Sequence, residues 1–171
     1  LERWLAQDKA SVGPNFIQMT QLLSRQKDKK AVYELLRDVA QPYNSVPEVR
    51  LALSQAAWSA EDVDASLSQS QAALKLKPDL ELAALFHAQA LQRKSGSNAD
   101  AAKFLAGYVK GQPQAREARL AYARLLAADK RQADAREQFE TLYRESPKNP
   151  EIAMAIATLA MQTQDYDSAE K

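Results

Sequence analysis

Between Pro113 and Pro150 the chain reads PQAREARLAYARLLAADKRQADAREQFETLYRESPKNP. With Arg116 as the first position of a unit, small or apolar residues fall at Tyr122, Ala123 and Leu126, then at Ala135, Phe139 and Leu142. Steps of three and four put each set on one helical face. The pattern predicts two amphipathic helices joined by a short polar turn and closed by Pro147. Pro113 and Pro147 stand 34 residues apart. Ala123 and Ala135 are expected where the helices cross, because close packing needs a small residue there.

The same phase recurs along the chain. From Pro47, a residue suited to a first helical turn, come Leu53-Ser54, then Ser66 and Ala73, with Pro78 near the end of a 34-residue unit. Ser59 is expected to cap the second helix, with Asp62 three residues on. From Glu81 come Ala84, His87-Ala88 and Leu91, then Ala101, Leu105 and Tyr108. The turn between them, RKSGSNAD, offers Gly96 as a helix stop and Asn98 as a start. Pro78 and Pro113 are 35 residues apart, so this turn carries one extra residue. From Pro150 the pattern gives Ile156-Ala157, Ala160, a turn at Gln164-Asp165-Tyr166, and Ala169.

The N-terminal part follows the pattern less closely. Leu1–Lys9 reads as the end of a second helix, with Trp4 and Leu5 in its core. Residues 10–14 read as a loop and Phe16–Gln26 as a first helix with Met19, Leu22 and Leu23 apolar. Asp28 begins a partner helix whose expected buried stripe is Ala31, Leu35, Leu36 and Val39. The resulting division is 1–11 (the end of a preceding repeat), 12–46, 47–80, 81–115, 116–149 and 150–171. Helices of about 13 residues are marginal alone, so stacking has to supply the burial. The ends at Leu1 and Lys171 are expected to fray, and the chain reads as a fragment of a longer protein.

Composition supports an all-α reading. Hydrophobic residues make up 46% but aromatics only 7%, so Ala and Leu dominate, and four glycines leave few hairpin turns. The net charge of +1 argues against nucleic acid or a membrane surface as the main partner. Zero cysteines exclude disulfides, thiolate catalysis and Cys-based zinc sites. No apolar run approaches the roughly 20 residues needed to span a bilayer.

No catalytic constellation emerges, and no cofactor or metal is expected. The single histidine, His87, reads as a partly buried spacer. Glu61, Asp62 and Asp64 lie at a helix start, where carboxylates offset the helix dipole. Lys27, Lys29 and Lys30 read as a solvated turn.

The pattern Tyr122-Ala123, Ala135, Phe139, Leu142 and Pro147 resembles the tetratricopeptide repeat (TPR). Arg119 stands where that family often has Trp. The resemblance implies a solenoid of stacked antiparallel helix pairs in a right-handed superhelix, with a concave groove lined by the first helix of each pair. Carried over, one rung of the groove is Phe16, Leu51, Leu85, Leu120 and Met154. The next is Thr20, Gln55, Gln89, Arg124 and Thr158, and a third includes Trp58, Gln92 and Met161. Such a surface suits a protein or extended peptide. It lacks the Lys and Asn of the family's carboxylate clamp.

The leading expectation is therefore a non-enzymatic scaffold or adaptor. The phrases WLAQDKA and PEIAMAIATLAMQTQDYDSAE are similar to the long TPR proteins of Gram-negative envelopes, some of them outer-membrane lipoproteins. That implies a periplasmic, membrane-anchored setting, with the cytoplasm as the alternative. A spacer or homo-oligomerising module is the second reading. An RNA-binding helical repeat is the third, and it is opposed by the near-neutral groove.

Overall fold

The computed structural model describes residues 11–162. Among them are nine α-helices: α1 (Val12–Leu23), α2 (Lys29–Val39), α3 (Pro47–Ser59), α4 (Val63–Leu76), α5 (Glu81–Ser95), α6 (Ala99–Gly111), α7 (Arg116–Ala128), α8 (Gln132–Glu145) and α9 (Pro150–Gln162). A short 3-10 turn, Gln41–Tyr43, precedes α3. The fold is all-α. Expectations for Leu1–Lys9, for the turn at Gln164–Tyr166, for Ala169 and for fraying at either end fall outside the described residues. The helices form two compact units, one ending at Ser97 and one beginning at Asn98.

In the first unit α1 differs from expectation. It begins at Val12 and runs through Gly13 and Pro14. Pro14 lies in the first turn, where backbone N–H groups have no helical partner to lose. The earlier start makes Val12, Phe16, Met19 and Thr20 the buried face and leaves Leu22 67% exposed. Gly13 is required by packing: a Cβ there would lie 2.9 Å from the Cβ of Glu48 on α3. On α2 the buried stripe is Val32, Tyr33 and Leu36, and not Ala31 and Leu35, since Leu35 is 45% exposed. These side chains join Val49, Ala52, Leu53, Ala56 and Ala57 of α3 in one core. The small residues of α3 and α4 meet through polar atoms. Ser54 Oγ donates to the Ser66 carbonyl at 2.9 Å, and both serines are fully buried.

Two helix pairs turn in the same way. After α3, Asp62 N–H donates to Ala57 O; after α7, Arg131 N–H donates to Leu126 O, each at 2.9 Å. These six-residue closures pass through Glu61 (φ 63°) and Lys130 (φ 60°), in the left-handed region where glycine is the usual choice. Ser59 is therefore the last residue of α3 and does not cap α4. Asp62 takes that role, its Oδ1 accepting from Ala65 N–H at 2.9 Å. Asp28 caps α2 likewise, through Ala31 N–H at 3.0 Å. Gly96 ends α5 with φ 67° as its position predicts. Asn98 directs its side-chain amide to Asp129, at 2.8 Å.

The second unit packs Ala123 and Leu126 of α7 with Ala135, Phe139 and Leu142 of α8 and Ile152 and Leu159 of α9. Arg119, at the position where Trp is usual in the resembling family, is tied down by hydrogen bonds. Its guanidinium donates to Gln138 Oε1 at 3.0 Å and to Pro113 O at 3.2 Å. In the first unit Arg50 repeats this arrangement, donating to Gln69 Oε1 at 2.8 Å and to Asn44 O at 2.9 Å. A planar fork that clamps the second helix and the preceding loop thus stands in for a wedged aromatic ring.

Candidate functional site

Three of the residues assigned to the groove belong to the core. Phe16 and Leu51 are 0% and 2% exposed, so they pack helices and meet no partner. Thr20 is 5% exposed and its hydroxyl donates to the Phe16 carbonyl at 2.9 Å, inside its own helix. Phe16 is buried in the core that α1 shares with α3, whereas Leu51 is buried against Ala73 of α4 and Ala83 of α5. In the same unit Gln55, Trp58 and Leu85 are half-buried, while Gln89 and Gln92 are exposed. Gln55 borders a small hollow of about 100 Å³ with Gln21, Ser24 and Lys29.

Trp58 is not bare. The Arg93 guanidinium lies 5.1 Å from its ring centroid, and Arg93 also faces Glu61 at 3.6 Å. One residue on, Lys94 pairs with Asp64 at 2.6 Å. The C-terminal end of α5 is thus fastened to the α3–α4 turn. Arg93 is the thirteenth residue of the unit that begins at Glu81. The available signal is its spacing, four residues after Gln89 and so on the same helical face.

In the second unit Leu120 is half-buried against the core, so it contributes to packing. Arg124 is ion-paired with Glu151 of α9, which neutralises the one cation expected in the groove. Met154 and Met161 are 68% and 56% exposed, seven residues apart on one face of α9. Thr158, between them, is exposed and donates its hydroxyl to Met154 O at 2.8 Å. Arg124, Ala127, Phe139, Met154 and Thr158 line an open hollow of about 610 Å³ between α7 and α9. A second hollow, about 780 Å³, lies between the N-terminal part of α7 and the loop before α9, with Leu120, Leu142 and Pro147 in its wall.

His87 on α5 sits beside α4, its Nδ1 2.9 Å from Ser70 Oγ. Burial pushes its pKa below the ordinary value, and a hydrogen bond to the Leu67 backbone partly opposes this. Ser70 Oγ reaches the Ser66 carbonyl at 2.8 Å, so a polar chain runs from Ser54 through Ser66 and Ser70 to His87. A lowered pKa means that the fold favours the neutral ring. Protonation therefore costs stability as pH falls below about 6.5, and the loss levels off below the folded-state pKa. Urea midpoints should fall between pH 7.5 and pH 5.5, and His87→Gln should flatten that slope. Equal slopes in both proteins would show that His87 does not carry it.

Among the described residues no group of three His, Asp or Glu side chains is placed to hold a metal ion, and no helix is long and apolar enough to cross a membrane.

Residues 126–171 match the tetratricopeptide-repeat family model. No curated protein matches the sequence. Several solved structures share the fold. Pseudomonas aeruginosa pilF aligns with a TM-score of 0.73 at 16% identity, over 95% of this chain and 73% of its own. MamA from Desulfovibrio magneticus RS-1, residues 41 to the end, aligns at 0.66 and 15% identity, over 92% of this chain and 89% of its own. YrrB, described as a TPR protein with an unusual peptide-binding site, aligns at 0.62 and 14% identity, over 98% and 85%. The chain thus has the fold of these solved structures, and its C-terminal part carries the tetratricopeptide-repeat pattern.

Proposed function

We propose that the chain is an interaction scaffold that takes a protein or extended peptide on the exposed faces of its first helices, α3 and α5 in one unit and α7 and α9 in the other. The supporting observation is the α9 face. Met154 and Met161 stand well exposed there beside an open hollow. Adjacent exposed apolar side chains of this size mark interaction surfaces, and methionine adapts to varied partners. The proposed contact residues are Gln55, Trp58, Leu85, Gln89 and Gln92 in the first unit. In the second they are Arg124, Met154, Thr158 and Met161, with Leu120 beneath them. This is a binding role without chemistry of its own.

The paired substitution Met154→Asp and Met161→Asp tests the reading. A photocrosslinker at Thr158 of the otherwise native protein identifies the partner. The double variant should weaken that partner at least about tenfold, the loss expected on removing a central apolar anchor, with unchanged helical circular dichroism. Undiminished binding would move the site off α9.

We further propose a setting in an envelope complex, on the resemblance of the phrases WLAQDKA and PEIAMAIATLAMQTQDYDSAE to Gram-negative envelope TPR proteins. Fractionating cells that express the protein tests this, and recovery in the cytosol alone would reject it.

A further inference from the structure

We infer that the Trp58–Arg93 stack is a docking point for an acidic side chain of an extended peptide, and that Glu61 occupies it as an internal competitor. The inference rests on the reading that first-helix faces bind a peptide, and it specifies the chemistry of that peptide at one point.

The Arg93 guanidinium carbon lies over the Trp58 ring, 5.1 Å from its centroid, a cation–π contact. A guanidinium in such a contact suits a carboxylate, which it can engage through two parallel hydrogen bonds. What it meets in the free protein is Glu61, through Nη2 at 3.6 Å. That distance is an ion pair beyond hydrogen-bonding range. The Glu61 side chain is 78% exposed and that of Arg93 44%. Moving Glu61 aside into water therefore costs little, because exposed ion pairs are weak.

The neighbouring carboxylates do not contest the place. Asp62 accepts from Ala65 N–H as the cap of α4, and Asp64 is held by Lys94 at 2.6 Å. The occupant is assigned as an internal Asp or Glu side chain of the partner, the same group that Glu61 presents to Arg93. Gln55 lies three residues before Trp58 and Gln89 four before Arg93, so both amides sit one turn back on the same helical faces. They suit the backbone of an extended segment whose acidic side chain reaches Arg93.

The test uses three capped hexapeptides, alternating Leu with Glu, with Gln or with Lys, titrated into the intact chain. Amide and indole chemical shifts are followed on α3 and α5. The Glu peptide should bind about tenfold more tightly than the Gln peptide, the selectivity of one well-placed charged pair. Glu61→Gln should tighten the Glu peptide about threefold or more by removing the competitor. Arg93→Ala should reduce the Glu peptide to the affinity of the Gln peptide, and Arg93→Lys should retain part of the preference. A free C-terminal carboxylate on the Gln peptide should not substitute for the internal Glu.

Preference for the Lys peptide, an unchanged or weaker affinity in Glu61→Gln, or an unaffected Arg93→Ala variant would each overturn the inference. Equal binding of the Glu and Gln peptides on α3 and α5 would overturn it too, while the first-helix reading stood. Absence of shifts on α3 and α5 with all three peptides would overturn both for this unit.

Discussion

Phe139→Ala should destabilise the second unit by about 3–5 kcal/mol, the range for deleting a buried aromatic ring. Phe139 is 3% exposed and lies among Ala123, Leu126, Leu142, Ile152 and Leu159, which come from three helices. The surrounding side chains are held by their own helices, so they refill the space only in part. With a urea slope of about 2 kcal/mol per molar, the midpoint should move by roughly 2 M. Amide exchange on α7, α8 and α9 should accelerate together, because those helices share the ring. A shift below about 1 kcal/mol would mean that Phe139 is not the centre of this core.

Ala123→Leu acts on the same core from the opposite direction. Ala123 and Ala135 are both fully buried where α7 and α8 meet. Three added carbons have no empty volume to enter, so the helices separate or side chains leave their preferred rotamers. The expected cost is about 1–3 kcal/mol. Ala128→Leu provides the control: it lies at the exposed end of the same helix, where substitutions stay within about 0.5 kcal/mol. A melting curve unshifted by Ala123→Leu would mean that the two helices do not touch at their small residues.

The two variants show how far local pattern reached. Ala123, Ala135, Phe139 and Leu142 were legible because spacing along one helix fixes which side chains share a face. Their burial then followed from having one apolar stripe per helix. Asp62 was legible as a helix-start carboxylate, but its assignment as the cap depended on a left-handed Glu61 that no sequence rule requires. The stripe of α2 was misplaced by about one position. Leu35 and Leu36 are equally apolar, and only the position of α3 decides between them.

Candidate contact residues were less legible, since exposure depends on what packs alongside. Phe16 and Leu51 share a repeat position with Met154, yet the first two are buried and the third is open. Arg124 is paired by Glu151 of α9, 27 residues away in the chain, which no local pattern reveals. The stack of Arg93 on Trp58 is of the same kind, linking the ends of two helices distant in sequence.

The amino-acid order alone made most of the helices legible, together with the small residues where α7 and α8 cross, and it contains no cysteine. Each of these is a property of neighbours within one or two turns. Tertiary packing decided which first-helix residues reach solvent and which charges are already paired. Those outcomes depend on helices that meet only after each unit has assembled.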